Sequence, residues 1–137
     1  MEDFRNLRLQ AEQYEKIVLV LSSLRRKLNA QAVLLISRSG QEIAVDGDVE
    51  FIDRQALASL AASNLAATFG LAKLIGEAEF ERIYHRGKGN SILINPAGDL
   101  ALMLFLLGNN GGSSIDLKSL KQATMVVGHM LEMGQQE

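Results

Sequence analysis

The chain has 137 residues, a formal net charge of −2 and apolar residues at 47% of its positions. That suffices for one domain with a full core, burying roughly two thirds of the surface its unfolded form exposes. The lack of cysteine excludes disulfides, thiolate metal sites and a cysteine nucleophile. The only basic cluster is Arg25, Arg26 and Lys27, so nucleic acid is not an expected partner.

The opening stretch MEDFRNLRLQ is charged and lacks the apolar segment of a signal peptide. Phe4, Leu7, Ala11, Tyr14, Ile17, Val18, Leu21, Leu24 and Leu28 recur at steps of three and four, the stripe of an amphipathic helix. Arg25, Arg26 and Lys27 fall in its last turn, where cations meet the negative end of the helix dipole, and Asn29 is its expected end. AVLLIS (32–37), the turn RSGQ (38–41) and EIAVD (42–46) read as a hairpin. After a loop, Asp53 is placed to accept hydrogen bonds from the free N–H groups of a second helix. That helix runs to about Ile75 and ends at Gly76.

FERIYHR (80–86) alternates, with Phe80, Arg82, Tyr84 and Arg86 on one face and Glu81, Ile83 and His85 on the other. GKGN turns the chain into the strand SILIN (91–95), and NPAGD turns it again. LALMLFLL (100–107) is continuously apolar, which predicts a strand covered on both faces. GNNGGSS is a loop, and a last helix over 115–133 carries Leu117, Leu120, Thr124, Val127 and Leu131 on one stripe, with Met125, Met130 and Met133 as core fillers. The order is α-β-β-α-β-β-β-α, an α+β domain over 1–137 with no repeat or internal linker.

The second helix poses a question. Between Arg54 and Lys73 it carries no charge. It has about the length of a membrane span, but Gln55, Ser59, Ser63, Asn64 and Thr68 interrupt it, so a soluble, cytoplasmic protein is expected. On a wheel of 100° per residue, Leu57, Leu60, Leu71, Leu74 and Ile75 fall on one side with Ala67 and Thr68, the expected sheet face. Ala58, Ser59, Ala62, Ser63, Ala66 and Gly70 fall on the other, with Phe69 and Lys73 as its large residues. These eight are the candidate partner-binding residues, because a smooth, uncharged, small-residue face marks a protein interface. Strand 80–86 follows directly and fits a sheet edge, which invites pairing with another strand. Phe80, Arg82, Tyr84 and Arg86 are accordingly the candidate dimer interface, across a two-fold axis.

LASLAASNLAATFGLAKLIGEAEF (57–80) resembles the corresponding helix and strand of the Roadblock / dynein light-chain-7 superfamily, and YHRGKGNSILI (84–94) resembles its next hairpin. The likeness in element order spans roughly 14–133. It is strongest to the bacterial members that regulate a Ras-like small GTPase in cell polarity and gliding motility. The resemblance implies a five-stranded antiparallel sheet, with the second helix on one face and the terminal helices on the other. It also implies a homodimer with second helices side by side and sheets joined, whose paired-helix layer docks the GTPase and speeds GTP hydrolysis. Ala66 and Gly70 match the small positions that admit the partner; Asn64 and Lys73 match the motif without an assigned role. Those bacterial members commonly continue past the last helix, whereas this sequence stops at Glu137.

No active site or cofactor of its own is expected. Arg82 and Arg86 are the candidate arginine fingers, read first as solvated or edge-guarding residues. His85 and His129 are too far apart in sequence to support a two-histidine metal site. GNNGG and GKG lack the Gly-Lys-Ser/Thr of a phosphate loop. Asp46, Asp48, Glu50 and Asp53 lack EF-hand spacing and read as solvated acids. A regulator of a small GTPase is one expectation; a scaffold or adaptor that dimerises through the same helix without altering hydrolysis is the alternative.

Overall fold

A computed structural model describes residues 9–108 and 116–135. The elements are α1 (Ala11–Leu28), β1 (Ala32–Ser37), β2 (Glu42–Gly47), α2 (Arg54–Leu74), β3 (Ile83–Arg86), β4 (Ser91–Ala97), β5 (Ala101–Leu107) and α3 (Leu117–Met133). The strands form one antiparallel sheet in the order β2-β1-β5-β4-β3. This is the expected order and sheet. Phe4, Leu7 and the GNNGGSS stretch beyond Gly108 lie outside the described residues.

Alternation along the strands divides the core in two. Val33, Leu35, Leu93, Met103, Phe105 and Leu107 point toward α1 and α3, whose Ile17, Leu21, Leu24, Leu28, Leu120, Val127 and Leu131 are buried against them. Ala32, Leu34, Ile36, Ile94, Leu102 and Leu104 point the other way, toward α2. Strand β5 is central and apolar on both sides because both its faces are covered. The α3 stripe is narrower than predicted: Leu117, Met125 and Met133 are exposed, and only Met130 of the three methionines packs against the core.

Local chemistry explains the boundaries. Asn29 ends α1 in the left-handed conformation (φ 52°), which a short carboxamide residue tolerates better than most. Asp53 caps α2 by accepting the Ala56 N–H at 3.0 Å. Asp116 caps α3 by accepting the Ser119 N–H at 3.1 Å and the Ser119 hydroxyl at 2.7 Å, which hold its carboxyl below the ordinary value of 3.8. Arg38, read from sequence only as a turn residue, ties three segments. Its guanidinium donates to the carbonyls of Ala101 (3.0 Å) and Gly98 (2.6 Å) and pairs with Glu79 at 3.0 Å.

Strand β3 begins at Ile83 rather than Phe80, although the alternation starts at Phe80. The register Ile83↔Ile94 puts Glu81 opposite Pro96. Proline has no N–H to donate, so the ladder stops there. Phe80 and Arg82 therefore lie ahead of the strand, and only Tyr84 and Arg86 of the predicted interface set belong to it.

Candidate docking face

Helix α2 packs through a face different from the predicted one. Its buried residues are Ala58, Ala61, Ala62, Leu65 and Ala72. Ala58 and Ala62, expected to face a partner, are 1% and 8% exposed and lie under their own chain. Conversely, Leu60, Leu71, Leu74 and Ile75, expected on the sheet, are exposed, Leu74 by 83%. Because both sides of this helix are apolar, amphipathicity cannot choose between them, and size does. The alanine stripe lets α2 settle close to the sheet and the β1–β2 turn. A Cβ added at Gly40 would stand 3.2 Å from the Ser59 Cα and 3.7 Å from the Ala62 Cβ. The leucines would hold the helix away.

The outer face is thus more apolar than the sequence wheel suggested. Ser59, Ser63, Ala66 and Gly70 are exposed on it as predicted, joined by Leu60, Ala67, Leu71 and Leu74. Two hydroxyl groups are spent locally: Ser63 donates to the Ser59 carbonyl at 3.0 Å, and the neighbouring Thr68 to those of Asn64 and Leu65. Lys73 folds over the Phe69 ring, its ammonium 4.7 Å from the ring centre. No charge interrupts the face between Arg54 and Lys73. By length and composition α2 could cross a membrane, yet its alanine stripe lies on the sheet.

One helix does not cover a five-stranded sheet. Helix α2 lies on the β1 and β2 side, leaving a groove of about 500 Å³ over β4 and β3. Leu57, Leu60, Ile92, Ile94 and Leu104 make it apolar. His85 Nε2 bridges it to Asn64 Oδ1 at 3.3 Å. The groove opens toward β3, which ends the sheet and pairs only with β4 among the described residues. The opposite edge strand, β2, carries Asp46, paired with Arg25 at 2.6 Å, and Glu42, paired with Arg54. The Glu42 carboxylate raises the Arg54 pKa above its ordinary value by hydrogen bonding.

The remaining candidates resolve into local roles. Asp46, Asp48 and Asp53 serve respectively an ion pair, the Glu50 N–H and the α2 cap. No group of three or more His, Asp or Glu among the described residues is placed to hold a metal. Arg86 is exposed on β3, and Arg82 is half-buried, 3.6 Å from Glu81.

Comparison with known proteins matches residues 16–106 to the Roadblock/LC7 domain family model. No curated protein matches the chain. Among solved structures, an MglB in a tetrameric arrangement superposes with a TM-score of 0.86 at 31% identity, covering 94% of this chain and 97% of that one. The gliding protein MglB of Thermus thermophilus gives 0.84 at 30% identity over 93% and 97%. Myxococcus xanthus MglB gives 0.84 at 32% identity over 94% and 97%.

Proposed function

The chain belongs to the Roadblock/LC7 family, and we propose that it works as a homodimer that binds a Ras-like small GTPase and stimulates its GTP hydrolysis. One observation carries this reading. Gly70 lies inside an exposed helix, and a Cβ added there would meet nothing within 4 Å. A helix-interior glycine costs about 0.5–1 kcal/mol relative to alanine. None of the described residues uses the space, so the vacancy serves a backbone approaching from outside. Leu60, Leu71 and Leu74 exposed around it give that approach an apolar lining.

In the dimer, the bare edge of β3 pairs with its copy through Tyr84 and Arg86, and the second α2 fills the groove over β4 and β3. The two outer faces then form one layer, with Ser59, Ser63, Ala66, Gly70, Phe69 and Lys73 offered to the GTPase. No arginine stands on that face, and an arginine finger is worth about 10³–10⁵ in rate. Stimulation therefore works by repositioning the GTPase's own catalytic groups. The arginine-free face equally favours a second reading, an adaptor that binds without accelerating.

Single-turnover GTP hydrolysis by the cognate GTPase, with and without this protein, separates the two. The first reading expects faster turnover with wild type and none with Gly70→Arg, the variant remaining folded and dimeric. A folded dimer that fails to bind the GTP-loaded form defeats the first reading.

A further inference from the structure

Asn64 does not stand with the small residues of the outer α2 face. It lines the groove over β4 and β3, where its Oδ1 meets His85 Nε2 at 3.3 Å. The oxygen accepts, so Nε2 carries a proton, and Nδ1 has no partner among the described residues. The other lining side chains are apolar apart from the Ser63 hydroxyl, and none is ionisable.

No carboxylate faces His85 from the elements around it. Helix α2 is uncharged between Arg54, which Glu42 holds, and Lys73, which lies over Phe69. Strands β4 and β5 present Ile92, Ile94 and Leu104 to the groove. On β3, alternation sends Tyr84 and Arg86 to the other side of the sheet. Ahead of the strand, Glu79 and Glu81 line a cavity on the α3 side, and beyond it Lys88 is an exposed cation. In the single chain His85 is exposed, so water solvates the ring in either charge state. Under a second α2, itself charge-free over the same stretch, that water is lost. Burying an unpaired charge costs far more than burying a neutral polar ring. A two-fold axis within Ile83–Arg86 also lies within two residues of both copies of His85, on one face of the sheet. Two imidazolium rings there repel each other.

We propose that His85, held by Asn64, is the polar centre of the interface between two copies of this chain, and that protonation of His85 drives the copies apart. This rests on the homodimer reading and not on the GTPase.

The test is sedimentation equilibrium of the full chain from about pH 8 to about pH 5.5, a window in which histidine is the side chain that titrates. The joined state excludes a proton that the separated chains bind. The dimer dissociation constant should therefore rise by about tenfold or more as pH falls through the ordinary histidine range. The sign is distinctive, because protonating the histidines brings the net charge of −2 toward zero, which by itself favours association. His85→Gln keeps a neutral donor for Asn64 and should remove the response. His129→Gln, on α3 across the sheet, should keep it. A wild-type dimer whose dissociation constant stays flat, or a response that persists in His85→Gln, overturns the proposal and leaves the homodimer standing. A chain that is monomeric throughout the range overturns the homodimer reading and this inference with it.

Discussion

The two faces of the sheet are covered in opposite ways. One carries two helices that bury leucines, isoleucine and valine; the other carries a single helix whose inner stripe is mostly alanine. Two glycines condense the difference. A Cβ on Gly128 of α3 would stand 2.8 Å from the Gly98 nitrogen and 2.9 Å from the Ala97 carbonyl carbon, so the fold itself requires the gap. A Cβ on Gly70 of α2 meets nothing. The lesson is a division: α1 and α3 fill the space against the sheet with large side chains, whereas α2 packs with small ones and carries a helix-interior glycine that no described residue requires.

The division can be broken experimentally. Leu21→Ala, on the two-helix face and fully buried, should cost about 2–5 kcal/mol in urea unfolding. A loss below about 1 kcal/mol would mean that this face is not the stabilising one. Gly128→Ala should cost about 1–3 kcal/mol, because backbone rather than a flexible side chain must move. Gly70→Ala should do the reverse, stabilising the isolated chain by up to about 1 kcal/mol while weakening partner capture. Asp116→Ala tests the smallest effect, through pH. The folded carboxyl titrates below 3.8, so its contribution is present above that value and lost as pH falls through the folded pKa. The difference in Tm between variant and wild type should therefore be visible at neutral pH and close in acid below 3.8.

The elements were legible wherever a local rule decides. Asp53 capped as its residue type predicts, Asn29 ended α1, and β5 was continuously apolar because both its faces are covered. The rotation of α2 was not legible, since Leu60 and Ala62 both read as apolar and only closeness to the Gly40 turn discriminates between them. The alternation predicts a β3 that starts too early because its own pattern is regular; the stop comes from Pro96, on a different strand. Of the outer α2 face, the exposure of Ser59, Ser63, Ala66 and Gly70 could be read, but Ala58 and Ala62 are buried and Leu60, Leu71 and Leu74 stand exposed instead.

The two margins of the sheet differ in charge. Both end strands expose an outer backbone edge, but Arg25–Asp46 and Arg54–Glu42 fix charges along β2, whereas no residue of β3 makes an ion pair among the described residues. A sheet with one sticky margin adds one neighbour and is then closed, whereas two would propagate into a filament. The charges fixed along β2 make it the less inviting of the two margins for a further strand.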